Sequence, residues 1–150
     1  MAKNSQVQFL MEPIERQLGF AALVQQGNTL WLSGLISVNE KLEVVGKGDM
    51  AAQITQIYNL METVLAMGGA TLANVVNEVM YTTDLQALVA VAHVRTARYA
   101  KYAPPANTGV QVSALFLPDA MLEIQATAVL GDCRRRTTVL SAVRAPRAVR

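Results

Sequence analysis

The chain is poor in cysteine and has no long apolar segment. Its single cysteine, Cys133, cannot form an internal disulfide bond, which is compatible with a reducing cytoplasm. No apolar run approaches the roughly 20 residues that a membrane-spanning helix needs. The N-terminal residues lead into no apolar segment of the kind that a secretory signal contains. We therefore expect a cytoplasmic protein without a membrane partner.

Charged residues are also scarce. They make up 16% of the 150 residues, whereas apolar residues make up 52%. An average soluble domain contains about 25% charged residues. The length suits one domain with one core, so apolar surface beyond what that core buries must be covered elsewhere. A subunit interface is the usual cover, and we therefore expect an oligomer.

The charges that are present are unevenly distributed. Residues 131–150 contain six Arg and one acidic residue, a net charge of +5, while residues 1–130 carry −3. We predict one domain over 1–130 and a basic extension over 131–150. The extension is either a solvated tail or a contact for nucleic acid or an anionic surface. The body lacks a basic stripe with interleaved aromatic residues, which argues against a nucleic-acid partner.

Signatures of metal and phosphate sites are missing. No His, Cys and carboxylate residues have the spacing of metal ligands, and no glycine-rich loop opens a helix, so we expect no metal and no cofactor. His93 lies in a stretch rich in Ala and Val, where a packed or surface role is the more common one. Cys133 has no partner base nearby in sequence. Glu78 lies among apolar residues, so we interpret it as a buried, paired acid rather than a catalyst.

Hydrophobic periodicity predicts elements in the order β-β-β-α-β-α-β-β. The strands are predicted at residues 20–24, 29–36, 42–45, 75–83, 107–115 and 121–130, with 7–9 as a candidate edge strand. Asp49 and Asp84 are suited to cap the two helices. Gly68-Gly69 and Pro104-Pro105 are suited to end them. This pattern is typical of an α+β domain with a mixed sheet and two helices on one face.

Two polar rows on the last two strands form the candidate site. Alternation places Glu123 on the polar face of its strand, opposite a row of apolar residues. The preceding strand carries a second polar row, which consists of Asn107, Gly109, Gln111 and Ser113. If the two strands pair antiparallel, the rows form a concave site with one acid, two amides and a glycine that admits a ligand close to the backbone. The alternative is that Glu123 is a solvated surface carboxylate.

Four segments together resemble the RidA/YjgF family of imine and enamine deaminases. They are residues 27–36, 64–76, 79–84 and 105–125, and the resemblance extends from about Gly19 to Leu130. It implies a chorismate-mutase-like fold, assembled as a homotrimer around a central barrel with ligand clefts between subunits. It also implies a small-molecule substrate, because the deaminating members hydrolyse imines and enamines such as 2-aminoacrylate to a keto acid and ammonia.

The resemblance also implies roles for individual residues. Glu123 matches the residue that positions or activates the attacking water. The residues that match substrate-binding positions are Phe20, Ser33, Gly34, Asn107 and Gly109. Asn107 stands where the deaminating members have an Arg that binds the substrate carboxylate through a bidentate pair. Phe20 stands where the family often has Tyr, and both departures favour a larger, less charged ligand.

We therefore expect an enzyme that hydrolyses an imine- or enamine-type intermediate, with Glu123 as the acid/base. Two alternatives remain open. One is a pathway-specific biosynthetic or catabolic enzyme on the same scaffold, which would cyclise, isomerise or hydrolyse a substrate that is not an amino-acid derivative. The other is a non-catalytic ligand-binding protein, because a fold does not determine a function.

Overall fold

Residues 5–131 are described by a computed structural model, and they form a six-stranded sheet packed against helices. The strands are β1 (Ser5–Gln8), β2 (Leu23–Gln26), β3 (Thr29–Ile36), β4 (Val75–Thr82), β5 (Ala106–Gln111) and β6 (Leu122–Val129). The helices are α1 (Glu12–Leu18), α2 (Met50–Met67), α3 (Leu85–Ala90) and α4 (Ala92–Arg98), with one 3-10 turn at Leu72–Asn74. The predicted basic extension and Cys133 lie outside the described residues.

The sheet is mixed. Its strand order is β1-β2-β3-β6-β4-β5, and β4 and β5 are its parallel pair, whereas the other neighbours are antiparallel. A parallel pair needs a crossover connection, and α3 and α4 provide it between β4 and β5. None of the helices within residues 5–131 has the length and hydropathy of a membrane-spanning segment. The α+β class with a mixed sheet is confirmed.

The longest helix, α2, packs on one face of the sheet. Its first turn is capped by Asp49, whose carboxylate accepts a hydrogen bond from the Ala52 N–H at 3.0 Å. Its buried apolar residues recur at helical spacing and are Met50, Ile54, Ile57, Tyr58, Met61, Val64 and Leu65. After the helix, the chain turns at Gly69, whose φ of 72° lies in the left-handed region that glycine adopts readily.

Strand β6 supplies the central part of the core. Its buried side chains alternate along the strand and are Leu122, Ile124, Ala126 and Ala128. Burial of a Leu or Ile side chain contributes about 1.5–3 kcal/mol. A shift of the β6 pairing by one residue would move these side chains to the other face of the sheet and lose that contribution. The alternation therefore places Glu123 on the sheet face opposite α2.

The predicted third strand, residues 42–45, is wrong. The segment makes one isolated bridge, between Val38 and Val44, and Leu42 has a φ of 60° that no strand residue adopts. The Asn39 side chain explains the loop, because its Oδ1 accepts hydrogen bonds from the N–H groups of Lys41 and Glu43 at 2.9 and 3.0 Å. An Asn that bonds to the backbone ahead of it favours a turn over a strand.

The second predicted helix is divided at Val91 into α3 and α4, which end well before the prolines. Its predicted cap is confirmed, because the Asp84 carboxylate accepts the Ala87 N–H at 2.9 Å. In the first hairpin, strand β2 begins at Leu23, three residues later than predicted. The hairpin turn consists of Gly27 and Asn28 and is shorter than the predicted turn at residues 25–28. The expectation of two helices on the sheet is therefore replaced by α2, α3 and α4, together with the short α1.

The expected antiparallel pairing of the last two strands is also wrong. Strand β4 lies between them, with Asn107 beside Glu78 and Gly109 beside Met80 on one side, and Glu123 beside Tyr81 on the other. In this register the Asn107 row and Glu123 point to opposite faces of the sheet. The physical reason is polarity: β5 is exposed along its whole length and takes the edge, whereas the apolar side of β6 is buried in the centre.

Candidate functional site

A cavity of about 410 Å³ adjoins Glu123 at the end of the β2–β3 pairing. Strands β2 and β3 pair only as far as Leu23 and Leu32, so the last residues of β3 have no strand on that side. The segment around α1 covers this gap. The apolar side chains lining the cavity include Leu10, Met11, Ile14, Leu18, Leu60 and Phe116, and its polar members include Glu15, Ser33 and Glu123.

The Glu123 carboxylate is half-buried in this cavity. Burial raises the pKa of Glu123 above its ordinary value, because the charged form loses hydration. No hydrogen bond or ion pair from another residue within 5–131 offsets this cost. A carboxylate with a raised pKa, open to a cavity and without a partner, is suited to exchange protons with a bound molecule.

Gly34 provides the space that the carboxylate occupies. The register between β3 and β6 shifts between Leu32 and Leu35, and Gly34 lies in this irregularity. A Cβ atom at Gly34 would overlap the Glu123 Oε1. Gly34 therefore allows the carboxylate to approach the backbone of β3, a place where the absence of a side chain is needed.

Replacement of Gly34 by Ala is expected to displace the Glu123 carboxylate without unfolding the protein. The overlap falls on the far end of a flexible side chain, so the side chain can rotate while the backbone stays in place. Function that depends on Glu123 should therefore fall strongly, with a melting temperature within a few degrees of the wild type. Differential scanning fluorimetry measures the melting temperature, and an activity or binding assay measures the function. A large fall in the melting temperature together with the loss of function would contradict this prediction.

Ser33 is held by the backbone next to the cavity. Its hydroxyl donates to the Ala21 carbonyl at 2.7 Å, and its N–H donates to the Ala22 carbonyl at 3.0 Å. Because the hydroxyl proton is used in the bond to the Ala21 carbonyl, the Ser33 side chain can only accept a hydrogen bond from a ligand. Ser33 is therefore oriented as a hydrogen-bond acceptor at the edge of the cavity.

Glu15 is a second carboxylate on the cavity wall that the sequence did not single out. It is 3% exposed, and its Oε2 accepts the Met11 N–H at 2.9 Å at the start of α1. A Glu side chain that accepts a hydrogen bond from the backbone N–H of the residue before the helix caps that helix. In the sequence, Pro13 in the first turn was the signal that indicated the start of α1. Local signals of this kind place the helix, but they do not indicate that it covers a cavity.

The structure brings together four of the six residues singled out in the sequence: Phe20, Ser33, Gly34 and Glu123 all line the cavity. Asn107 and Gly109 do not join them within one chain. Both lie on the exposed edge strand β5, on the other face of the sheet. Phe20 is 43% exposed and forms part of the apolar wall.

Glu78 belongs to a buried cluster under the sheet, away from the cavity. Its carboxylate accepts hydrogen bonds from the hydroxyls of Tyr58 at 3.1 Å and Tyr99 at 2.6 Å, and from Arg95 Nε at 2.9 Å. Burial, with the nearby carboxylate, raises the pKa of both tyrosines, so they remain neutral donors. The interpretation of Glu78 as a buried, paired acid is confirmed.

The other reactive side chains of the described residues form no metal site and His93 is isolated. His93 is exposed on α4. Within residues 5–131, no three His, Cys, Asp or Glu side chains are arranged to hold a metal ion. The cavity beside Glu123 combines a concave surface with a half-buried carboxylate.

Comparison with known proteins places the chain in a family. The family model described as Endoribonuclease L-PSP matches residues 13–130. The 3-aminoacrylate deaminase RutC of Acinetobacter baylyi is 33% identical over 104 residues, which cover 67% of this chain and 79% of that protein. The crystal structure of Rv2704 from Mycobacterium tuberculosis, a member of the YjgF/YER057c/UK114 family, superposes with a TM-score of 0.74 at 28% identity and covers 85% of this chain and 100% of that one.

The YjgF protein of E. coli superposes with a TM-score of 0.67 at 29% identity, over 77% of this chain and 88% of the other. The residues that the family model matches, 13–130, contain β2 to β6 and Glu123. The chain therefore belongs to the RidA/YjgF superfamily.

Proposed function

We propose that this protein hydrolyses an imine or enamine to a carbonyl compound and ammonia, with Glu123 as the general acid/base. The observation that carries the proposal is the half-buried, unpaired Glu123 carboxylate beside Gly34 in a cavity of about 410 Å³. The name of one relative, a 3-aminoacrylate deaminase, supports the reaction class. Proton transfer by a positioned carboxylate is the chemistry that this reaction needs.

The reaction begins from the protonated imine. A water molecule adds its oxygen to the carbon of the C=N bond while Glu123 takes one water proton, which gives a neutral carbinolamine. The protonated Glu123 then gives that proton to the amino group. The C–N bond breaks as the C=O bond forms, the hydroxyl proton passes to the Glu123 carboxylate and then to solvent, and ammonia leaves. One protonated imine and one water therefore yield one carbonyl compound, one ammonia and one proton. The raised pKa of Glu123 makes its carboxylate a stronger base for the water proton.

A second copy of the chain would complete the site in this proposal. Asn107 and Gly109 lie on an edge strand that no other described strand covers. On the sheet face opposite α2, four large apolar side chains are exposed, namely Val7, Trp31, Val110 and Val129. Such a surface favours burial between subunits. We propose a homotrimer in which β5 of one copy meets the Glu123 cavity of the next, and sedimentation as a single chain would contradict it.

The family description names an endoribonuclease, but the cavity does not favour a phosphodiester. Among the described residues that line it, the charged side chains are two carboxylates, Glu15 and Glu123. A phosphate group is bound by Arg, Lys or backbone N–H groups, and two carboxylates would repel it. An imine, which is neutral or cationic at nitrogen, suits these surroundings better.

The test of the proposed activity is hydrolysis of imines generated in situ by an amino-acid oxidase or an amine oxidase. The disappearance of the C=N absorbance is followed with and without the wild-type protein. We expect a rate above that of the uncatalysed reaction for at least one imine. If neither anionic nor neutral imines are hydrolysed faster, the activity is refuted. Binding of an imine analogue without turnover would then favour the ligand-binding alternative.

A further inference from the structure

We propose that the Glu123 cavity takes an apolar cationic ligand, so that the substrate is a non-anionic imine with an alkyl or aryl group rather than an imino acid. The claim that the ligand is a substrate rests on the proposed function. The claim about which ligand binds rests on the residues of one chain that line the cavity. It concerns the chemical class of the ligand, which the family membership leaves open.

The first argument is the apolar character of the cavity wall. Seven large side chains contribute to it from three parts of the chain: Leu10, Met11, Ile14, Leu18, Phe20, Leu60 and Phe116. Three of them are unusually exposed for apolar residues: Leu18 at 50%, Phe20 at 43% and Phe116 at 70%. Exposed apolar side chains around a concave site favour a ligand that brings its own apolar surface.

The second argument is the sign of the charge. Glu123 is half-buried and receives no hydrogen bond from another described residue. Glu15 is almost fully buried, and the bond from the Met11 N–H reaches only one of its two carboxylate oxygens. No Lys, Arg or His is among the described residues that line the cavity. A ligand cation would offset this negative charge, whereas a ligand carboxylate would add to it.

Three cationic side chains of the described residues have other surroundings. Arg16 forms an ion pair with Glu12 at 2.8 Å, and Arg95 forms one with Glu78 at 2.8 Å under the sheet. Lys41 lines an adjoining cavity of about 610 Å³, where it is accompanied by Glu40. None of these three cations lines the Glu123 cavity.

Strand β5, which the proposed trimer would bring to the cavity from a second copy, contains no charged residue. Two of its polar side chains, Asn107 and Gln111, are amides. Amides can accept or donate hydrogen bonds to a ligand, but they cannot neutralise its carboxylate. A protonated imine is also the form that water attacks most readily, so the charge that binds the ligand favours the reaction.

The experiment uses three probes of similar shape and different charge, titrated into the full chain by calorimetry. They are 2-phenylethylamine as a cation, 2-phenylethanol as a neutral compound and 3-phenylpropionate as an anion. We expect the amine to bind about tenfold more tightly than the alcohol, as a single partly buried charge pair allows, and the propionate to bind most weakly. Glu123→Gln should remove the preference for the amine. Glu62→Gln, the same change at an exposed carboxylate on α2 outside the cavity, should keep it.

The outcomes separate this inference from the proposed activity. Preference for the amine without hydrolysis of any imine would support the ligand class and refute the activity. Hydrolysis of imino acids together with preference for the propionate would support the activity and refute the ligand class. Equal binding of the three probes, no binding at millimolar concentration, or a preference for the amine that survives Glu123→Gln would overturn the inference.

Discussion

Replacement of Glu123 by Gln is expected to lower kcat/KM for imine hydrolysis about 10²–10⁴-fold, the range that general acid–base catalysis contributes. Gln keeps the shape of the side chain beside Gly34 but cannot take a proton from water. The carboxylate is the lone reactive acid that points into the cavity without a partner from residues 5–131. Steady-state kinetics of the wild type and the variant with the same imine measure the effect.

The pH dependence provides a second readout. The reaction needs the ionised carboxylate, so the rate should fall as the pH drops through the pKa of Glu123. Burial raises that pKa above 4.5, its ordinary value, and the acid limb of kcat/KM should therefore lie above pH 4.5. In Glu123→Gln this limb should vanish. An unchanged limb in the variant would assign the proton transfer to another group.

The stability of the same variant should change in the opposite direction from its activity. The folded state favours the protonated form of Glu123, so its ionisation at neutral pH lowers the free energy of unfolding. Removal of this charge should leave the melting temperature equal or higher. Glu62→Gln, at an exposed position, is the matched control and should change neither the rate nor the melting temperature appreciably. Loss of both activity and stability in Glu123→Gln would indicate a structural role instead.

Replacement of Arg95 by Met should destabilise the protein by about 3–5 kcal/mol, the cost of leaving a buried charge without its partner. Glu78 is fully buried, and Arg95 supplies its counter-charge through Nε at 2.9 Å and Nη2 at 2.8 Å. The two tyrosine hydroxyls that also bond to Glu78 are neutral and cannot replace that charge. Urea unfolding of the wild type and the variant measures the difference.

Two controls define this effect. Arg16→Met removes an exposed ion pair with Glu12 and a cation–π contact with Phe9, and should cost about 1 kcal/mol or less. The double variant Glu78→Gln/Arg95→Met removes both charges and should recover part of the loss, because no uncompensated charge remains. Equal small losses for Arg95→Met and Arg16→Met would show that the buried pair contributes little.

Local chemistry was readable from the sequence where a few neighbouring residues decide the structure. The caps at Asp49 and Asp84 are both formed, because an Asp side chain needs only the N–H three residues ahead. The prediction of a strand at residues 42–45 is wrong, although the cause of the loop is equally local. The Asn39 side chain accepts hydrogen bonds from the backbone N–H groups that follow it.

The site was readable in part. Glu123 and Gly34 could be singled out in the sequence, but their contact could not, because it depends on the register shift between β3 and β6. Glu15 was missed because its visible role is the cap of a short helix, while its position in the cavity depends on where that helix packs.

The sequence by itself determined which face of β6 is buried, and hence that Glu123 lies on the face opposite the core, because side chains alternate with a period of two whatever the neighbouring strand is. Only the tertiary structure decided which strands are neighbours. The side-chain alternation of β6 and the polar row of β5 would also be compatible with direct pairing of these two strands. In the structure β6 lies between β3 and β4, where its apolar side chains are buried. That choice separates Asn107 from Glu123 within one chain, since pairing between distant segments is set by the packing of the whole core.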